Sequence, residues 1–161
     1  MNNEARLVDE IGKLKREVER LKRVEQVDSS LIGRPVFLTT PLTSTAWDGD
    51  AYSSNGGKTL IDLSEVFGVP AGVKAVLLEC AVNDSGSLTY STYGGAWILF
   101  TGQNDEAWNG QGINLEKEPN DAHRNAHMIV RCNEDGDIYY RINASGTGTM
   151  DVILKVWGYW L

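Results

Sequence analysis

Leu7, Ile11, Leu14, Val18 and Leu21 recur at spacings of 4, 3, 4 and 3, the 3.5-residue period of a coiled-coil seam. Ile11 and Val18 then fall at a, with Leu7, Leu14 and Leu21 at d. Glu10 and Glu17 sit at g, and Lys15 and Lys22 at e of the following heptad. Opposite charges at those flanks suit parallel chains, since antiparallel packing would set Glu rows against Glu rows. A helix packed on its own domain needs a wider apolar stripe than two positions in seven. The pattern predicts a parallel coiled coil.

The number of chains stays open. A β-branched a with Leu at d favours two, whereas Arg20-Leu21-Lys22-Arg23-Val24-Glu25 follows the Arg-hydrophobic-x-x-hydrophobic-Glu pattern of three-stranded coils. Beyond Leu21 the seam slips phase through Val24 towards Leu31, as expected where a coil hands over to a head. Three heptads are marginal alone because helix nucleation is costly, so the head is expected to help hold the chains together.

From residue 35 the period changes to two. Val36 to Thr39 and Thr59 to Asp62 are expected strands, and Ser64 is placed to cap one helical turn through Phe67 before Gly68. Val76, Leu78, Cys80 and Val82 alternate on one face, and Ala96 to Thr101 is a further apolar strand. Asn133-Glu134-Asp135-Gly136 carries the Asp-Gly signal of a tight turn, and Ser145 to Gly148 forms the next, so residues 127–161 are expected as a three-strand meander. The last strand runs from Met150 to Leu161, and its stretch Val152 to Leu161 reads as apolar on both faces, which fits a central strand or one packed on neighbouring subunits. The expected fold is mainly β: a coiled-coil stalk over residues 1–30, then an antiparallel, jelly-roll-like β-sandwich head over residues 31–161.

Charge and aromatic content divide at the same seam. Residues 1–27 hold seven Lys/Arg against six Asp/Glu, and residues 28–161 hold eight against sixteen, for a total of −7 over 161 residues. Every Trp, Tyr and Phe lies after residue 36. An acidic head argues against nucleic acid and anionic membranes as partners, and no apolar run approaches the roughly 18 residues that span a bilayer.

Candidate chemistry is sparse. His123 and His127 are four apart, but the surrounding sequence does not read as a helix and no third ligand completes a zinc site. Asp48-Gly49-Asp50 and Asp135-Gly136-Asp137 resemble calcium ligands superficially, without the twelve-residue loop and closing Glu. No nucleophile elbow, phosphate loop or dinucleotide fingerprint occurs, so neither enzyme activity nor a metal or cofactor is expected. Cys80 and Cys132 sit on inward-reading positions and are expected as buried thiols; their spacing leaves a disulfide open.

Long connections point to recognition instead. Residues 41–58 carry Trp47, Asp48, Asp50 and Tyr52, residues 84–95 carry Tyr90 and Tyr93, and residues 102–125 carry Trp108 and Asn109. Aromatic planes among Asn, Asp and Gln suit the apolar faces and hydroxyl edges of sugars. The competing expectation is that these rings pack on one another or on the next subunit.

A short parallel coil followed by a β head with an aromatic last strand resembles the fibre and spike proteins of tailed bacteriophages and prophages. Thr59 to Val76, reading TLIDLSEVFGVPAGVKAV, and the stretch Trp157-Gly158-Tyr159-Trp160-Leu161 carry that resemblance. It implies a homotrimer in the virion, attached to other virion proteins through the N-terminal arm and displaying the head to host glycan or a neighbouring protein. Met1-Asn2-Asn3-Glu4 leads into the heptads without a secretory signal, which favours a virion component over the alternative, a secreted C1q/TNF-like or lectin-like module.

Overall fold

The computed structural model describes residues 10–18, 33–86, 95–105, 109–116 and 118–161. The chain divides into two compact units, Met1–Arg34 and Pro35–Leu161.

In the first unit residues 10–18 form a helix, α1. Its apolar residues Ile11, Leu14 and Val18 are all exposed in the single chain. Spacings of three and four put them on one side of the helix. The remaining seam residues Leu7, Leu21 and Val24 lie outside the described residues.

The second unit runs β1 (Pro35–Tyr52), β2 (Thr59–Ile61), α2 (Leu63–Phe67), β3 (Ala75–Asp84), β4 (Trp97–Thr101), β5 (Gln111–Asn114), β6 (His123–Arg131), β7 (Ile138–Asn143) and β8 (Met150–Trp160). Two four-stranded sheets result, ordered β1-β8-β3-β6 and β2-β7-β4-β5, and every pairing is antiparallel. The period-two reading of β3 holds: Val76, Leu78, Cys80 and Val82 are buried. They share one core with Val152, Leu154 and Val156 of β8 and with Ile98, Phe100, Ile138 and Ile142 of the other sheet. β8 lies between β1 and β3 in its sheet; its inward residues Val152, Leu154 and Val156 are buried, and its outward Asp151, Ile153, Lys155 and Trp157 are not.

The expected meander over residues 127–161 does not form. β6 pairs with β3, β7 with β2 and β4, and β8 with β1 and β3. The tight turn itself is present: Asn133 Oδ1 accepts from Asp135 N at 3.0 Å and Asp137 N at 2.8 Å, and Gly136 takes φ 98°. A Cβ on Gly136 would stand 2.6 Å from the Gly72 nitrogen, so only glycine lets this turn seat on the 72–73 backbone. An Asp-Gly signal fixes a chain reversal; it does not fix which strand each arm then pairs with, and here the turn carries the chain from one sheet to the other.

Two local expectations also change. Asp62, not Ser64, caps α2, its carboxylate accepting from Ser64 N at 3.0 Å and Glu65 N at 2.9 Å. One ionised carboxylate satisfies two of the helix's orphan donors. Residues 41–52, expected as loop, continue β1 along the sheet edge. The strand was hidden by its irregularity: Phe37 to Leu42 runs opposite Gly158 to Val156, and Thr43 to Asp48 opposite Lys155 to Ile153. Such bulges and Pro41 break the alternation that announces a strand.

Candidate functional site

The sequence candidates separate into distinct places. Trp47 is 5% exposed and belongs to the core. Its ring stacks on Tyr52 (4.7 Å between centroids, 19°) and meets Tyr140 edge-on (4.9 Å, 89°). Because Tyr140 belongs to β7, Trp47 ties the edge strand of one sheet to the opposite sheet. Tyr52 is half-buried, its hydroxyl donating to the Ala46 carbonyl. Burial, then the neighbouring Tyr140, Asp50 and Asp48, raise its ionisation above the ordinary tyrosine range. Trp47 therefore fills the packing role rather than offering an open ring face.

Asp48 and Asp50 remain exposed on the β1 edge. They flank Gly49, whose φ of 116° accommodates a bulge in the register against Ile153 and Val152. Charges and bulges on an edge strand discourage another chain from pairing with it. That gives both carboxylates a structural task.

Asn109 is engaged by its own loop. Its amide donates to Gln103 Oε1 at 2.6 Å and Asp105 Oδ2 at 3.3 Å. The side chain of Lys58, only 3% exposed, reaches under this loop. Its Nζ donates to the Gln103 carbonyl (3.0 Å), Asp105 Oδ1 (2.7 Å) and Asn109 Oδ1 (3.1 Å). All three ammonium protons are thereby matched, and residues 103 and 109 are drawn together. Trp108 lies between these anchors but outside the described residues, as do Tyr90 and Tyr93.

A cluster that sequence reasoning missed lies on the outer face of the β1-β8-β3-β6 sheet. Register sets His127, Glu79 and Lys155 in one row across three strands. Glu79 accepts from the Trp157 indole at 2.5 Å and from Lys155 Nζ at 3.4 Å, with His127 Nε2 at 3.9 Å. The indole hydrogen bond and then the Lys155 and His127 charges hold its carboxyl below the ordinary glutamate range, against some desolvation. A group with a depressed folded pKa stabilises the fold above its unfolded value and loses that contribution as pH falls through the folded one. In acid titration, Trp157 emission is therefore expected to change with a midpoint below the ordinary glutamate range, and Glu79→Gln should remove that transition. A midpoint at the ordinary value would contradict the arrangement. The individual residues were visible as outward positions; their convergence depends on register between strands distant in sequence.

Cys80 and Cys132 are both free and buried, and burial pushes each thiol up to about 12. Among the described residues no group of three or more His, Cys, Asp or Glu gathers as a metal site. No family model, curated protein or solved structure matches the chain.

Proposed function

We propose that this chain is a non-enzymatic structural protein of a virion, a head fibre or decoration protein or a short tail fibre. In this reading a parallel, three-stranded coil over residues 1–30 carries three jelly-roll heads. The observation that supports it most is the strand order β1-β8-β3-β6 over β2-β7-β4-β5. Among the described strands, six of the seven successive connections change sheet, β4–β5 being the exception, and this alternation supports the jelly-roll reading. Exposed Ile11, Leu14 and Val18 on α1 add a seam that wants partner helices. The arm would dock on other virion proteins and the heads would meet host glycan or a neighbouring protein, three weak sites acting with the avidity of one stalk.

Light scattering on the full chain is expected to give three times 17.7 kDa; a monomer at every concentration would remove the coil and with it the fibre. Mass spectrometry of purified particles then tests location. Peptides of this chain should copurify with the capsid, whereas recovery only from particle-free medium would favour a secreted C1q/TNF-like or lectin-like module, which shares the trimeric jelly-roll head.

A further inference from the structure

Lys58, Asp105 and Asn109 close a triangle of hydrogen bonds on the head. Lys58 Nζ donates to Asp105 Oδ1 at 2.7 Å and to Asn109 Oδ1 at 3.1 Å, and Asn109 Nδ2 donates to Asp105 Oδ2 at 3.3 Å. An amine, a primary carboxamide and a carboxylate that touches both nitrogens thus meet, with Lys58 and Asn109 51 positions apart in the chain. Gln103 fixes the group from below: its carbonyl accepts from Lys58 Nζ at 3.0 Å and its Oε1 from Asn109 Nδ2 at 2.6 Å. The Lys58 side chain is 3% exposed, so its nitrogen is met by protein groups rather than by bulk water.

An ion pair would be complete with Asp105 alone. The carboxamide adds an acyl carbon, one bond from an oxygen already in contact with the amine. The carboxylate adds a proton route, one oxygen on each nitrogen. A lysine amine held against an acyl group is a nucleophile in place, and fixed contact replaces a bimolecular encounter.

We propose that Lys58 and Asn109 join in an isopeptide bond, with Asp105 carrying the protons. The Lys58 ammonium gives a proton to the Asp105 carboxylate, and the freed amine attacks Asn109 Cγ as that carbon turns to it. Asp105 passes its proton to Asn109 Nδ2 and takes a second from the attacking nitrogen. The Cγ–Nδ2 bond then breaks, ammonia leaves with that second proton as ammonium, and Asp105 is a carboxylate again. No oxidant or cofactor enters. The new bond ties the residue before edge strand β2 to the β4–β5 connection, with β7 between them in the sheet. A covalent link of this span restricts the unfolded chain as a disulfide does, in a head whose Cys80 and Cys132 are both free.

Intact-mass spectrometry of the full chain over days after purification, followed by proteolysis and fragmentation, is the test. Wild type is expected to become lighter by one ammonia and to yield a branched peptide joined at Lys58 and Asn109. Lys58→Arg, which keeps the cation, and Asn109→Ala should both hold their full sequence mass. Asp105→Ala should accumulate the link on the order of a hundredfold more slowly, the usual contribution of a placed proton carrier. A wild-type chain that stays at its sequence mass overturns the bond. So does a loss of ammonia that persists in Lys58→Arg, which would mark ring closure of Asn109 on the nitrogen of Gly110. Loss of water in place of ammonia would overturn Asn109 as the acyl partner and name Asp105. Linkage at the wild-type rate in Asp105→Ala overturns the proton route. Should a variant fail to keep the far-ultraviolet circular dichroism, the presence or absence of the branched peptide in wild type decides alone.

Discussion

Replacing Trp47 with alanine is expected to lower the unfolding free energy of the head by about 3–5 kcal/mol, the usual cost of deleting a buried large aromatic side chain. The ring is buried between Tyr52 of its own strand and Tyr140 of the opposite sheet, so its loss leaves a cavity at the flank where edge strand β1 closes over the core. Urea unfolding measures the effect as a lower midpoint at unchanged slope. Tyr52 supplies a second readout. Its ionisation is raised chiefly by burial, and opening the stack should return it towards the ordinary tyrosine value in an absorbance titration. Were Trp47 a ligand platform on a loop, alanine would change stability by no more than about 0.5 kcal/mol, as surface substitutions do. Such a result would contradict the packing of this ring in the core.

Trp47 also illustrates what could be read from the sequence. Where a strand is regular, inside and outside were legible: Val76, Leu78, Cys80 and Val82 alternate without interruption and are all buried. For Val152 to Leu161 the sequence leaves a central strand and subunit packing both open, and β8 does lie between β1 and β3. The turn at Asn133 to Asp137 was legible because its signal is local, resting on one Asn side chain and one glycine. The pairing of the strands on either side of it was not, because the choice of partner strand is decided by burial across the whole chain. β1 escaped detection for a different reason. Its extra residues between Phe37 and Leu42 and between Thr43 and Asp48 reset the alternation repeatedly, and its Ser, Thr and Gly content reads as loop. Recognition and packing are both open for Trp47 and Tyr52, the two aromatic residues of 41–58, from sequence alone; the structure favours packing, with Trp47 in the core and Tyr52 half-buried against it. The Glu79 cluster lay beyond sequence reasoning altogether, since it is assembled by the register of three strands.

The other large effect is expected at Asp84, the last residue of β3 and nearly buried. Its Oδ1 accepts from Gly86 N at 2.9 Å and from the Ser145 hydroxyl. Its Oδ2 accepts from Ser145 N at 2.9 Å and Thr149 Oγ1 at 3.4 Å. One carboxylate thereby stitches the start of the connection after β3 to the turn between β7 and β8. Asp84→Ala leaves the Gly86 and Ser145 amides without their acceptor, and an orphaned donor costs about 1–3 kcal/mol. The sum predicts a loss of about 2–5 kcal/mol in urea unfolding. Asp84→Asn should fall between, because the amide keeps one acceptor oxygen but turns an N–H towards a donor that needs an oxygen. Hydrogen exchange separates a local from a global effect: in Asp84→Asn the Gly86 and Ser145 amides should exchange about tenfold faster or more, with the amides around Leu78 unchanged. An unchanged midpoint in Asp84→Ala would mean that solvent replaces the carboxylate without penalty and that the two connections are held by their backbone bonds, such as Ser85 N to the Thr149 carbonyl at 2.8 Å.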